Sequence, residues 1–357
     1  MGQPTDMPET PDTYVRQETS GAQPTRWQIA IHAAKALIAL GLLSVCFSLI
    51  DTRGAIDQIA SMDAGMFVAA LACALLGTII FPALIVRRAL AINKLKISLP
   101  SLIAINLAVR FYVIALPRIV ATAIRWSRYG GGRFSADAFA LMAYERVVQF
   151  AVLFLLSFLA LLMDAPLNAD WRGPLLAVLA TGSAMSLLML AAFHMQSART
   201  LLARLNQGLE RLLPTFVSKK IARLVDAVAA FRGLTLSDIA IIAGNSAAAF
   251  IFFVLSAFLI AHAIGVEIGL LPLVWVRSAV FVITLLPVSI AGIGLREVSF
   301  IGFLSLYGIS EVDALAFSLA NFSVQLTIAA MGLVIEAARF ANGRFFPAQN
   351  TEGKAGS

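Results

Sequence analysis

The chain has 357 residues, 60% of them hydrophobic and 13% charged, with a formal net charge of +7. A soluble domain carries about 25% charged residues, so an ordinary soluble fold is excluded. Several apolar runs of about 20 residues, enough to cross a hydrocarbon core of about 30 Å, identify an all-α polytopic membrane protein.

Residues 1–28 are rich in Pro, Thr, Gln and Glu and read as a disordered tail with no signal-peptide core. Residues 29–338 read as one transmembrane domain, and 339–357 as a second disordered tail. We expect about eight spans, near 29–50, 65–86, 137–163, 173–195, 236–262, 269–287, 295–309 and 314–338, with a further embedded segment at 99–122. Cys46 and Cys73 fall in apolar stretches and signal neither a disulfide framework nor a thiolate metal site. His32, His194 and His262 share no metal-ligand spacing, and neither metal nor cofactor is called for.

Lys and Arg set the sides. The 87–96 loop has Arg87, Arg88, Lys94 and Lys96 and no acid, whereas 51–64 has three Asp against Arg53, so the former reads as cytoplasmic and the latter as external. If 99–122 crossed fully, Arg125, Arg128 and Arg133 would lie outside and later loops would carry the wrong bias. The charge pattern therefore favours a re-entrant helical hairpin turning before Pro117, with a tilted span and an atypical loop as the alternative. On the hairpin reading both termini are cytoplasmic. The 196–235 connection is amphipathic and basic, which suits helices lying on an anionic inner leaflet.

Charges at membrane depth are costly and by default pair or line a polar route. Arg110 lies in the embedded segment, and Arg118 follows the helix-breaking Pro117. Arg118, Arg125 and Arg128 then face a vestibule where guanidinium forks suit phosphate. Glu145 and Arg146 lie two turns into a span and, as helix neighbours, do not face each other; Arg118 and Arg296 are the candidate partners for the glutamate. Arg277 lies eight residues into an apolar span, either functional or snorkelling to the outer headgroups. In Pro287-Val-Ser-Ile-Ala-Gly-Ile-Gly-Leu-Arg-Glu297, Pro287, Gly292 and Gly294 permit a broken helix, and Arg296 and Glu297 open the next one. An anionic headgroup at that helix start would satisfy both Arg296 and the free amides.

These residues carry a resemblance. The late motif of Pro287, Gly292, Gly294, Arg296 and Glu297, the mid-chain pair Glu145 and Arg146, and an early motif kept at Leu116, Pro117 and Arg125 resemble the flippase-like integral membrane family. That family includes the transmembrane domain of lysylphosphatidylglycerol synthases. Ala291 replaces one late glycine, and Ala121 and Thr122 replace the early motif's glycine and acid. The resemblance implies translocation of an anionic phospholipid or a polyprenyl-linked lipid between leaflets of a bacterial inner membrane; no enzymatic activity is expected, since neither HExxH nor GxSxG nor a clustered Asp motif occurs. It further implies membrane lipids as partners, room for a homo-oligomer, and association with lipid-synthesis or glycosyltransferase enzymes. No synthase domain is expected, since the loops and tails are short, and nothing suggests nucleic acid. No GxxxxGK[ST] phosphate loop occurs, so a gradient, the membrane potential or lipid supply would drive transport. Two other readings stand beside it: an intramembrane lipid-modifying enzyme using Glu145 or Glu297, and a small-solute or ion transporter.

Overall fold

The computed structural model describes residues 52–90, 95, 97–164, 169–195, 227–285 and 294–341. The expected span at 29–50, both far tails, most of the amphipathic connection, Pro287 and Gly292 lie outside them.

Among the described residues every regular element is helical. The short α1 (Thr52–Ala60) precedes α2 (Ala64–Leu75), which passes through a π turn at Leu76–Ile80 into α3 (Phe81–Ala89). The hairpin follows as α4 (Leu99–Ala115) and α5 (Arg118–Tyr129). Next come α6 (Ala136–Met163), α7 (Ala169–His194) and α8 (Leu236–Ala263), then α9 (Leu270–Leu285), α10 (Leu295–Ser305) and α11 (Glu311–Ala341).

Among the described residues five segments are long and apolar enough to cross a membrane: Ala64–Ala89, Ala136–Met163, Trp171–His194, Leu236–Ala263 and Glu311–Ala341. The 269–309 region forms two shorter helices. At 1.5 Å per residue, the 16-residue α9 rises about 24 Å and the 11-residue α10 about 16 Å. They pack against each other, and the break expected near 287–296 lies mostly outside the described residues.

The interior is built on small residues. Ala55, Ala70, Ala83, Ala108, Ala121, Ala257, Ala314 and Ala320 are fully buried, while Val68, Val178, Leu188 and Val334 are more than half exposed. Lipid removes the hydrophobic incentive for helices to associate, so close backbone approach and dispersion replace it. Gly332 lies so near α4 that a Cβ there would stand 2.2 Å from the Leu107 carbonyl oxygen, and one at Gly77 would stand 2.6 Å from that of Ala249.

Two buried clusters divide the bundle by depth. One holds α1, α2, the C-terminal halves of α6 and α8, α9, α10 and the first two-thirds of α11. The other gathers Val86 and Leu90 from the end of α3, Leu102 and Ile105 from α4, Tyr129 from the end of α5, Tyr144 from early α6, and Phe231 and Ile242. The start of α4 and the end of α5 thus belong to the same end of the bundle, the end that carries Arg87 and Arg88. Arg88 there binds Asp238 of early α8 at 2.6 Å, and Tyr144 meets His194 of late α7 at 3.4 Å.

The hairpin turns at Leu116 and Pro117. Leu116 is extended (φ −129, ψ 160), the conformation that the proline ring imposes on the residue before it. Gly131 and Gly132, both at positive φ, carry the chain from α5 to Ser135, whose side chain caps α6 by accepting from the Ala138 amide.

Candidate functional site

The hairpin holds one buried polar cluster against α3 and α6. Arg125, 7% exposed, directs Nη2 at both carboxylate oxygens of Glu145, 1% exposed, at 2.9 and 2.7 Å. The same nitrogen donates to the Tyr129 hydroxyl (2.8 Å) and Asn106 Oδ1 (3.3 Å), and Gln149 donates to Glu145 Oε1 at 3.1 Å. A buried pair needs such supporting bonds to offset the loss of water around two charges. Glu145 therefore meets Arg125, not Arg118 or Arg296: α5 folds back along α4 and lays Arg125 over early α6. Arg146 faces away from Glu145 and donates to Gln149 Oε1 at 3.2 Å.

The π turn supplies acceptors that a regular helix would withhold, because the wider turn disturbs the carbonyl ladder. Arg110 Nη2 donates to the Thr78 carbonyl at 3.2 Å, and Asn106 Nδ2 to that of Ile79 at 3.2 Å. Arg118, exposed at the start of α5, donates from Nη1 to the Thr284 carbonyl in the last turn of α9 at 3.3 Å. Arg146, Arg125, Glu145 and Arg118 all act electrostatically on Arg110, and Arg125, Glu145 and Arg118 act on Arg146. Four arginines thus lie in a neighbourhood whose one described carboxylate, Glu145, pairs with Arg125 alone, leaving a formal excess of three positive charges among the described residues. Thr122, which takes the place of the motif's acid, turns its hydroxyl back to the Arg118 carbonyl at 2.8 Å and adds no charge.

A second cluster lies among α8, α9, α10 and α11. Gly294 adopts φ +81, a conformation that favours glycine, and its amide donates to Glu297 Oε2 at 2.7 Å. Arg296 pairs with the other oxygen of Glu297 through Nε at 3.0 Å and through Nη2, donates to Ser318 Oγ at 3.3 Å, and lies over the Phe322 ring. Those contacts answer the need that the sequence raised for Arg296. Arg277 does not snorkel: it is 6% exposed, with Nη1 on Asn321 Oδ1 at 2.5 Å and its guanidinium 3.9 Å from the Phe253 ring centroid.

The structure therefore gathers Arg110, Arg118, Arg125, Glu145 and Arg146 at one place and Gly294, Arg296, Glu297 and Arg277 at another. Seven residues of α9 separate Arg277 from Thr284, about 10 Å of rise. Asn106, Tyr129, Gln149, Ser318 and Asn321 escaped the sequence reading because neutral polar residues are common inside apolar spans. Glu336 escaped it as an apparent end-of-span charge, yet it binds Arg128 and Tyr112.

The sequence profile of the family described as lysylphosphatidylglycerol synthase TM region matches residues 32–332. No curated protein and no solved structure matches the chain.

Proposed function

The chain belongs to the lysylphosphatidylglycerol synthase TM-region family, and from that membership in a lipid-related membrane family we propose that it moves a lipid with an anionic headgroup between leaflets. One observation carries the reading: four arginines gather around a helix break where the one described carboxylate, Glu145, is taken by Arg125. Of the four only Arg125 is buried, Arg110 is half-buried and Arg118 and Arg146 are exposed on the bundle, and guanidinium charge left unneutralised at membrane depth is expensive unless an anion visits it. Phosphate suits the visitor, since each guanidinium can offer it parallel N–H bonds.

In this reading Arg118 is the first contact. It is exposed, sits at the hairpin's break, and among the described residues is tied only to a carbonyl that a headgroup can displace. Arg146 and Arg110 receive the headgroup next, while Arg125 and Glu145 hold the hairpin in place. Positive-inside bias supports a cytoplasmic placement of this end, and the membrane in this reading is a bacterial inner membrane. The arrangement favours transport over intramembrane catalysis. Glu145 is committed to Arg125 and Gln149, and Glu297 to Arg296 and the Gly294 amide, so neither carboxylate is free to act as a general base.

The test is flux in proteoliposomes carrying a headgroup-labelled anionic phospholipid, with a membrane-impermeant reductant destroying the label in the outer leaflet. Wild-type protein should expose the inner-leaflet pool faster than empty vesicles do. Arg118→Gln and Arg146→Gln should slow it while the protein remains folded. Wild-type rates equal to those of empty vesicles would end the translocation reading.

A further inference from the structure

Arg277 is the one buried arginine in the two clusters that lacks both a carboxylate and a full set of donors satisfied. Its Nε has no hydrogen-bond partner, and among the described residues its one polar contact is the neutral Asn321 through Nη1. Arg296 is the neighbouring charge that acts on it, and it is of like sign. The acid of this cluster, Glu297, is spent on Arg296 and the Gly294 amide. The stretch 286–293, Leu-Pro-Val-Ser-Ile-Ala-Gly-Ile, contains no Asp or Glu to supply a counter-charge. Asn321 is itself fixed, its amide donating to the Phe317 carbonyl at 2.9 Å, so it holds the guanidinium in one orientation.

We propose that Arg277, oriented by Asn321, is a second anion site within the bundle, taking a phosphodiester monoanion on the guanidinium edge formed by Nε and Nη2. The chemistry follows from what is left over. One positive charge remains after Arg296 and Glu297 cancel, which calls for a single negative charge. The edge of Nε and Nη2, to which no described residue is hydrogen-bonded, presents two parallel donors, which suits an anion with two coplanar oxygens. Phe253 covers one face of the guanidinium, so an anion meets it at its edge. A lipid headgroup and a soluble phosphodiester share this chemistry. The assignment holds whether or not the lipid crosses the membrane, since it concerns binding alone.

The experiment is a melting series on the full chain, purified in nonionic detergent and held in a gluconate buffer. The probes are dimethyl phosphate, a phosphatidylglycerol and, as a zwitterionic control, a phosphatidylcholine, on wild type, Arg277→Gln, Arg277→Lys and Asn321→Ala. Wild type should melt higher with an anionic probe and not with the control. Arg277→Gln, relieved of an uncompensated buried charge, should melt no lower than wild type without probe. It should bind about ten- to a hundredfold more weakly, the loss expected for a charged hydrogen-bonded contact. Lys should fall between, retaining charge without the fork, and Asn321→Ala should weaken binding by misorienting the guanidinium. A response to both anionic probes establishes the site for either source; a response only to the lipid assigns it to headgroups, and only to dimethyl phosphate to a soluble anion. The proposal is overturned if wild type responds to neither, if Arg277→Gln responds as wild type does, or if that variant melts lower without probe. Failure here with normal flux in vesicles would leave translocation standing, and the reverse would leave this site standing.

Discussion

Arg128 grips Glu336 with two parallel hydrogen bonds, Nη1 to Oε1 at 2.7 Å and Nη2 to Oε2 at 2.5 Å, and so fastens the returning arm of the hairpin to the last helix. Tyr112, on the outgoing arm, donates to the same carboxylate at 2.7 Å. One side chain of α11 therefore clamps both arms. Glu336→Gln should loosen the hairpin and cost about 3 kcal/mol, because it strands a largely buried guanidinium. Thermal unfolding in detergent measures this, and the exchanged pair Arg128→Glu with Glu336→Arg should recover part of the loss. No recovery would mean that the clamp's other contacts, not the ion pair, hold the two elements.

The arginines of the first cluster should separate into two kinds. Arg125→Ala leaves Glu145 buried without its counter-ion and should cost about 3–5 kcal/mol. Arg118→Gln removes an exposed side chain whose one contact is a carbonyl, and should shift stability by no more than about 0.5 kcal/mol while slowing lipid flux. Parallel stability and flux measurements check this. Equal destabilisation by both would erase the division between the group that holds the hairpin and the group that meets the lipid.

How much of this was legible in the sequence depended on whether a feature is local. The spans at 65–86, 137–163, 236–262 and 314–338 recur in the structure within a few residues, because a run of apolar residues answers to the solvent alone. The break before Pro117 was legible for the same reason: the ring constrains its own neighbour. Pairings were not. Glu145 and Arg125 are 20 residues apart and meet only because the hairpin doubles back, which is decided by the fit of small residues such as Ala108 and Ala121 between helices. Nothing in the neighbourhood of Arg277 announced Asn321, 44 residues downstream. The π turn at Leu76–Ile80, whose carbonyls receive Arg110 and Asn106, has no local sequence signal beyond Gly77.

The glycine contacts give a prediction with an internal control. Gly332→Ala would drive a methyl group into the Leu107 carbonyl, and Gly77→Ala would drive one into that of Ala249; backbone on both sides cannot yield cheaply. Each should destabilise by about 1–3 kcal/mol or more, the range for overpacking. Gly244, inside α8, has nothing within 4 Å of the added carbon, so Gly244→Ala should be neutral or stabilise by up to about 1 kcal/mol through helix propensity. Melting temperatures of the three variants rank them directly, and a neutral Gly332→Ala would refute the close approach of α4 and α11.

At the end of the bundle opposite Arg87 and Arg88, Tyr307 joins three helices that frame the second cluster. Its hydroxyl donates to Asp164 Oδ2 at the end of α6 and accepts from Trp275 Nε1 of α9 at 2.8 Å, while Trp275 also donates to Asp164 at 3.0 Å. Tyr307 itself follows the end of α10, so the triad ties α6, α9 and α10 together at the end away from the hairpin. Tyr307→Phe keeps the ring beside Trp275 but removes a donor from a carboxylate that is 2% exposed. The loss should be about 1–3 kcal/mol, as for a buried acceptor deprived of one partner. Trp275→Phe should cost a comparable amount by removing the other donor, and the double variant should cost less than the sum, since both act on one carboxylate. Additive losses would show that Tyr307 and Trp275 stabilise the protein independently. A Trp275 emission spectrum unchanged by Tyr307→Phe would remove the ground for treating the three residues as one fastening.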